Sequence, residues 1–476
     1  MNAPASEFDV VVVGSGPNGL SAAIVLQKAG LRILLIEGES TIGGGMRSAE
    51  LTLPGFTHDI CSAIHPMAAG SPFFSTLPLQ DFGLEYILPT YAVAHPFDDG
   101  TATKLESSIT GTASSLGIDE KIYTKLFTRL VNEWPLIDSD VLGPLRIPHH
   151  PIAMANFGLK ALCSAKTIAR KYFKSGKTRG LFGGMAAHGM LPFSKPVSAA
   201  AGLTLMIQGH RKGWPMIKGG SQQLANALAS YFTSLGGQIQ TGFRIEKLKE
   251  LPSARVIVLD TSPKQALRIA GDKFSSYYRN QLRNYRYGMG VYKIDWALDA
   301  PIPFTAEYCR HAGTVHLGNS FSEIATNEQM TANGKHPEKP FVLLAQQSLF
   351  DSTRAPAGKH TAWAYCHVPH GSMLDMRNAI EKQVERFAPG FRERILAAHS
   401  MNAREMEVYN PNNVGGSISG GIQDIRQVFT RPAIKFSPYR SSAKGIYLCS
   451  ASTPPGGGVH GMCGYQAAKC VLRDIF

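Results

Sequence analysis

The sequence predicts an α/β protein in which a doubly wound, parallel-sheet domain is assembled from separated segments, with a large α+β insertion between them. Three observations predict this fold. A valine-rich strand runs into a glycine-rich turn near residue 14, a second buried strand appears at 255–260, and a third at 444–449 precedes a proline- and glycine-rich loop at 454–461. Buried strands that alternate with helices are typical of parallel sheets, and the wide spacing of these units requires an insertion.

The first unit has the residue pattern of a strand–turn–helix that binds nucleotide phosphates. Asp9–Val13 is apolar and β-branched, and Asn18–Ala29 has helical spacing. The turn between them contains Gly14, Gly16 and Gly19. Glycine here permits a tight turn, close approach of backbone N–H groups to a pyrophosphate, and close packing of the helix on the sheet. The predicted nucleotide contacts in this turn are Gly14, Gly16, Pro17, Asn18 and Gly19.

The residues after the next strand indicate which nucleotide is bound. Glu37 directly follows the predicted strand Arg32–Ile36 and stands 18 residues after Gly19, where a carboxylate accepts ribose hydroxyls. The segment Gly43–Arg47 resembles the Gly-Gly-Arg extension of FAD enzymes of the amine oxidase and phytoene desaturase type. Simple NAD enzymes lack this extension, so FAD is the predicted cofactor. The predicted contacts here are Gly44, Gly45, Met46 and Arg47.

Composition narrows the class of protein. The chain has 476 residues, of which 44% are hydrophobic, and seven cysteines without a C-x-x-C pair. This is typical of a globular protein of at least two domains without a disulfide framework or a zinc site, and no metal is predicted. Met1–Glu7 carries no basic leader, and no apolar run reaches membrane-spanning length. We expect a cytoplasmic protein, either free or peripheral to a membrane.

The net charge of +13 arises from one stretch of the chain. Between Asp140 and Glu246 there are 13 basic and no acidic residues. Residues 156–174 are predicted to form one amphipathic helix, because at about 100° per residue the apolar and the basic side chains fall on opposite arcs. The apolar arc comprises Phe157, Ala161, Leu162, Ala165, Ile168, Ala169, Tyr172 and Phe173.

This predicted helix has three interpretations. It either packs on the core with a solvated basic face, or lies on an anionic membrane surface that attracts the basic residues. Nucleic-acid binding is the third, but no nucleic-acid motif accompanies the charge and aromatic residues do not interleave with it. Nucleic acid is therefore not a predicted partner.

Turn residues and composition divide the chain into five segments. Predicted strands at 238–248 and 255–260 resume the parallel sheet, and a helix from Gly461 to Leu472 closes it. The predicted FAD-binding domain comprises 1–70, 216–284 and 401–476. The predicted substrate region comprises 71–215, which includes the candidate membrane contact, and a sheet part at 285–400.

Several blocks of residues, spread over nearly the whole chain, resemble the phytoene dehydrogenase-related FAD oxidoreductases. The blocks are Arg354–Gly358, His367–Gly371, Arg386–Phe391, Gly415–Gly416 and Pro454–Gly464. The resemblance is strongest to the branch named for a pyridine nucleotide-disulfide oxidoreductase domain. It implies a discontinuous Rossmann-like FAD-binding domain of the amine oxidase/phytoene desaturase type. The further predicted cofactor contacts are Ile245, Thr261, Pro455, Gly457, Gly458, Val459, His460 and Met462.

The resemblance also implies an activity. If the terminal loop, Pro454–Gly461, passes the flavin and the next helix points its amino end at the pyrimidine edge, the backbone N–H groups would stabilise an anionic reduced flavin. That arrangement favours hydride acceptance at N5. The implied reaction is dehydrogenation of a lipophilic, carotenoid- or isoprenoid-like substrate by non-covalent FAD, with oxygen or a quinone as electron acceptor. The alternatives are a redox-neutral flavin-dependent isomerase and a flavin-binding scaffold with little turnover, and the oligomeric state is left open.

Two histidines are candidate catalytic residues. His65 resembles a position that faces the active cavity in this family, and His460 lies in the terminal loop. A purely structural role is the alternative for each of them. No Ser-His-Asp set or carboxylate pair with suitable spacing is evident in the sequence.

Overall fold

The computed structural model describes residues 7–476. Residues 1–6, which form most of the segment used above to predict the absence of a leader, lie outside the described range. The strands are β1 (Phe8–Val13), β2 (Ile33–Ile36), β3 (Ser48–Glu50), β4 (Thr57–Asp59), β5 (Tyr86–Ile87), β6 (Tyr91–Pro96), β7 (Ala102–Leu105), β8 (Met216–Ile217), β9 (Gln238–Gln240), β10 (Ala254–Leu259), β11 (Gly290–Leu298), β12 (Ala312–Leu317), β13 (Val342–Ala345), β14 (His360–Val368), β15 (Ile395–Met401) and β16 (Ile446–Leu448).

The α-helices lie between these strands, and α3 to α8 follow one another without an intervening strand. They are α1 (Pro17–Lys28), α2 (Pro66–Ala69), α3 (Ile109–Ser114), α4 (Glu120–Val141), α5 (Pro151–Ala161), α6 (Ala165–Tyr172), α7 (Gly176–Ala187), α8 (Ala199–Lys212), α9 (Gln222–Ser234), α10 (Pro263–Ala270), α11 (Ser276–Arg283), α12 (Glu307–Arg310), α13 (Phe321–Ala332), α14 (Arg377–Phe387), α15 (Ala403–Tyr409) and α16 (Met462–Ile475).

A five-stranded parallel sheet is built from distant parts of the chain. Its strand order is β16-β10-β1-β2-β9, and every neighbouring pair is parallel. Helices α1, α9 and α16 cover one face and α10 and α11 the other. Since both faces are covered, the inner strands are apolar runs such as the valines of β1, whereas the edge strand β9 is Gln-Ile-Gln. The predicted fold class, a discontinuous Rossmann-like domain with an insertion, is confirmed.

The insertion is organised around a seven-stranded mixed sheet of order β15-β11-β14-β13-β12-β6-β7. Its strand pairs are antiparallel except for the parallel pair β12–β6. One face packs on a helical layer that includes α4 to α8, and the other packs on α14. Strands β6 and β7 come from the first half of the insertion, so the two halves share one sheet.

The basic segment 156–174 is two helices, α5 and α6, and the prediction of one continuous helix is wrong. The chain leaves the helix at Leu162, and Ser164 starts α6 by accepting the Thr167 N–H with its hydroxyl. Most of the predicted apolar arc, including Ile168 and Phe173, is buried in the core. That arc is therefore not a surface available to lipid. None of the helices within residues 7–476 has the length and apolar character needed to cross a membrane.

The predicted strand at 238–248 is much shorter in the structure. Strand β9 ends at Gln240, and Gly242 then adopts a positive φ of 72° that breaks the extended backbone. The rest of the segment runs past the end of β2, where Phe243 donates its N–H to the Glu37 carbonyl. This path brings Ile245 close to the carboxyl end of β2.

Candidate cofactor and substrate site

A continuous cavity of about 600 Å³, called here the chamber, joins the parallel sheet to the seven-stranded sheet. One end, called here the cofactor end, lies at the carboxyl ends of β1, β2 and β10. This is the edge at which open α/β sheets bind ligands. The other end is walled by β12, β13, β14 and α8. The predicted site residues that line the chamber are Gly14, Gly16, Pro17, Asn18, Glu37, Gly44, Gly45, Arg47, His65, Ile245, Thr261, Pro455, Gly457, Gly458, Val459 and His460.

Three predicted contacts are not among the lining residues. A Cβ on Gly19 would lie 1.9 Å from the Gly14 carbonyl oxygen, so this glycine allows α1 to start immediately after the turn. Met46 and Met462 are buried in the core of the Rossmann-like domain. The structure therefore places Gly19, Met46 and Met462 behind the chamber surface.

Glu37 is held at the cofactor end by backbone and side-chain donors. Its carboxylate accepts the Ser15 N–H at 2.9 Å and the Ser15 hydroxyl at 2.5 Å. It also accepts the Glu39 N–H at 3.0 Å. These contacts fix a nearly buried acidic group beside the glycine turn, where the ribose hydroxyls of an adenine dinucleotide would lie.

Asp260 is a second acidic group at this end that the sequence analysis did not select. It directly follows β10, and its carboxyl accepts the Gly19 N–H at 2.8 Å. Burial raises the pKa of Asp260 to about 7, helped by the nearby Glu37 charge and opposed by the Gly19 hydrogen bond. Asp260 ends a predicted strand, but the parallel pairing of β10 with β1, which brings their carboxyl ends to the same edge of the sheet, is visible only in the structure.

Several buried polar atoms at the cofactor end have no hydrogen-bond partner in the protein. They include Asn18 Oδ1, Arg47 Nε and Thr261 Oγ1. Unpaired buried polar atoms are costly, so their presence in a cavity indicates a polar ligand. The Arg47 guanidinium lies 4.9 Å from the centre of the Tyr409 ring. The residues present thus fit a bound dinucleotide.

His460 is fixed by the start of the last helix. Its Nδ1 accepts the Met462 N–H at 3.0 Å, and its carbonyl accepts the Ser71 hydroxyl at 2.6 Å. Since Nδ1 is the acceptor, Nε2 carries the proton. Burial lowers the pKa of His460 to about 4, which keeps the ring neutral at pH 7.

The tautomer of His65 also follows from its contacts. The Ser221 hydroxyl donates its hydrogen to the Ser62 carbonyl at 2.6 Å, so it accepts from His65 Nε2 at 2.7 Å. His65 Nδ1 is then a bare acceptor, and it has no partner in the protein. Burial lowers the pKa of His65 to about 4, so this side chain offers a neutral lone pair at the chamber.

A buried ion-pair network holds Ser221 in place. Asp59 accepts the Ser221 N–H at 2.8 Å and pairs with Arg354 at 2.9 Å. Arg354 also pairs with Asp351 at 3.0 Å, and Asp351 accepts the Gly219 N–H. The network joins both domains at the start of α9, so it orients His65 without contacting the chamber itself.

The fold and the chamber together define a Rossmann-like protein whose cavity fits a dinucleotide. The pattern of the NAD(P)-binding Rossmann-like domain family matches residues 12–75. The structure of an oxidoreductase from Methanosarcina mazei shares the fold, with a TM-score of 0.65 and 16% identity over 98% of this chain and 100% of that one.

Two curated relatives match almost the whole chain. Pyridine nucleotide-disulfide oxidoreductase domain-containing protein 2 of Rattus norvegicus is 24% identical over 98% of this chain and 94% of its own length. The lycopene-forming phytoene desaturase of a Paracoccus species is 24% identical over 98% of this chain and 97% of its own length. The predicted resemblance to phytoene dehydrogenase-related FAD oxidoreductases is confirmed.

Proposed function

We propose that this protein is an FAD-dependent dehydrogenase that removes hydride from a lipophilic, carotenoid- or isoprenoid-like substrate. The continuity of the chamber carries the proposal, since one cavity reaches from the glycine turn and Glu37 to the apolar wall of the second sheet. A cofactor bound at one end would therefore meet a substrate bound at the other. The substrate-side lining includes Met190, Leu205, Leu343 and Trp363, which suits a lipophilic molecule.

The residues at the cofactor end have separate proposed roles. Glu37 would accept the ribose hydroxyls, and the N–H groups at the start of α1 would face the pyrophosphate. Gly457 and Gly458 would let the terminal loop approach the ring system. When bound, FAD supplies the hydride acceptor. His65, held neutral with Nδ1 bare, would accept a hydrogen bond in the chamber.

The first test is cofactor content and reduction. Purified protein is expected to be yellow and to release FAD on denaturation. Under anaerobic conditions a substrate of the dehydrogenase is expected to bleach the flavin and to yield one molecule of product for each flavin. An isomerase would change the product with no net bleaching, and a scaffold would do neither.

Glu37→Gln is expected to weaken FAD binding by about 1.5 to 3 kcal/mol, because a charged acceptor is replaced by a neutral one. Flavin fluorescence titration of apoprotein measures this change. Glu50→Gln is the control, since Glu50 is exposed on β3, away from the chamber lining. Equal FAD affinity in Glu37→Gln and wild type would remove Glu37 from the site.

We also propose that the protein docks on an anionic lipid surface, through residues other than the predicted apolar arc. Four apolar residues on the loop before α5 and on α5 are exposed: Leu145, Ile147, Ile152 and Leu159 are 79%, 92%, 79% and 72% exposed. The basic residues of α6 are exposed nearby in sequence, in a stretch with no acidic residue. The first of these residues, Leu145, stands three residues after Leu142, which lines the chamber with Val141, so docking of this segment would bring membrane lipid towards the chamber.

The double substitution Ile147→Ser and Leu159→Ser is expected to reduce binding to vesicles of equal parts phosphatidylglycerol and phosphatidylcholine by at least about tenfold. The reason is that two apolar side chains that would move from water into lipid on binding are removed. Sedimentation at low ionic strength measures binding. Met373→Ser, at a residue equally exposed elsewhere, is the control. If wild-type protein does not sediment with these vesicles at low ionic strength, the proposal is contradicted.

A further inference from the structure

The wall of the chamber opposite the cofactor end carries unusual polar groups. Trp363 on β14 pairs with Ala345 on β13, and Ala345 pairs with Thr314 on β12. Residues directly opposite on neighbouring strands point to the same face of a sheet. Trp363, Ala345 and Thr314, called here the far wall, therefore form one row, and all three line the chamber.

Two hydrogen-bond donors in the far wall have no partner in the protein. Trp363 is 7% exposed and its Nε1 is unpaired, and Thr314 is 2% exposed and its Oγ1 is unpaired. A buried donor without an acceptor is costly, and such groups at a cavity point to a ligand that completes them.

A third donor comes from a histidine pair beside the far wall. His316 lies two residues after Thr314, on the same face of β12, and its Nε2 is 3.1 Å from Nε2 of His188. His316 Nδ1 is buried and unpaired. A buried lone pair without a donor is tolerated better than a buried N–H without an acceptor, so we place the shared hydrogen on His316. His188, which lines the chamber, then presents its Nδ1–H there.

The charge of the ligand group follows from what surrounds these donors. Burial lowers the pKa of His188 to about 3, so the histidine is neutral. The arginines that line the chamber are Arg47, Arg244 and Arg268, and they belong to segments at the cofactor end. Lys293 lies opposite Tyr365 on the same face of the sheet, but it is already paired with Asp295. A carboxylate at the far wall would therefore find no unpaired cation, which is unfavourable. A neutral oxygen that only accepts hydrogen bonds suits the three donors.

We propose that the far wall, together with His188, binds a carbonyl or similar neutral oxygen of an otherwise apolar molecule. A substrate made only of carbon and hydrogen would leave the Trp363 and Thr314 donors unpaired. The inference deepens the proposed function, on which it rests for the use of the chamber as the substrate site. The oxygen belongs either to the molecule that is oxidised or to a quinone that reoxidises the cofactor.

Binding of geranylacetone, and of its analogue with CH₂ in place of the carbonyl, tests the proposal. Equilibrium dialysis against the purified protein measures both affinities without using the flavin. Thr314→Val keeps the side-chain shape and removes one donor. Trp363→Phe removes the other donor and keeps an aromatic ring, with Trp134→Phe as the control for the smaller ring. Each is expected to weaken ketone binding about fivefold to tenfold, the value of one hydrogen bond, and to leave analogue binding unchanged.

Matched controls exist outside the chamber lining. Trp134 on α4 and Thr103 on β7 are also buried with unpaired Nε1 and Oγ1 atoms. Trp134→Phe and Thr103→Val should bind the ketone like wild type. Equal ketone affinity in wild type, Trp363→Phe and Thr314→Val would overturn the proposal, as would equal losses for ketone and analogue.

A second measurement distinguishes the two sources of the oxygen. It also distinguishes a failure of the far-wall proposal from a failure of the proposed function. Anaerobic bleaching by the ketone would support an oxygenated substrate. Reoxidation of dithionite-reduced protein by a prenylated benzoquinone, slowed in Trp363→Phe, would support a quinone. Protein that contains no flavin but retains the donor-dependent ketone binding would overturn the proposed function and leave the far-wall site standing.

Discussion

Asp260→Asn is expected to make the protein more stable than wild type above pH 7, by as much as about 4 kcal/mol, and to lose this advantage near pH 4. The folded protein holds the Asp260 proton up to a pKa of about 7, whereas the ordinary value is 3.8. About three units of pKa correspond to about 4 kcal/mol. Asparagine keeps an oxygen to accept the Gly19 N–H and carries no charge at any pH.

The direction of the effect follows from proton binding. Between about pH 4 and pH 7 the folded state holds a proton on Asp260 that the unfolded chain has released, so the stability of the wild type falls as pH rises through this window. Urea denaturation at pH 4, 6 and 8 measures the difference between the two proteins. Asp272→Asn, at an exposed residue, should show no such pH-dependent gain. A constant difference at all three pH values would mean that Asp260 does not titrate in this range.

Gly464→Ala is expected to destabilise the protein by more than about 3 kcal/mol or to abolish soluble expression. Helix α16 crosses α1 so closely that a Cβ on Gly464 would lie 1.8 Å from the Asn18 carbonyl oxygen. Backbone on the opposite helix cannot give way as a side chain can, so the two helices must separate. Urea denaturation and soluble yield measure the effect.

The control for this substitution is another helical glycine. A Cβ on Gly158, in the interior of α5, would meet nothing within 4 Å. Gly158→Ala should therefore be neutral or stabilising by about 0.5 to 1 kcal/mol, from helix propensity alone. Wild-type stability in Gly464→Ala would mean that α1 and α16 do not make this close crossing.

The sequence predicted the features that depend on neighbours along the chain. The strand, glycine turn, helix and Glu37 form one local unit whose hydrophobic pattern and turn chemistry agree, and the structure has them within a residue or two of the predicted bounds. The helix at 156–174 was predicted too long, because periodicity continues across Leu162 whereas Ser164 starts a new helix by capping it. Amphipathic spacing also could not tell a core-facing arc from a lipid-facing one.

The rest of the candidate site depends on contacts between distant segments. Asp260 contacts Gly19, which is 241 positions away in the sequence. The strand that ends at Asp260 was predicted, but its pairing with β1 was not. The far wall needs the pairing of three strands, and its isolated Trp, Ala and Thr have no motif in the sequence. Residues of this kind become visible only when sheet order and register are known.

The strand order of the parallel sheet also constrains how the protein is made. Strand β10 lies between β1 and β16, so β1 leaves the ribosome more than 200 residues before the neighbour that completes its hydrogen bonds. Until then its apolar edge is exposed to other chains. Nearly the entire polypeptide must therefore be synthesised before the cofactor end can close.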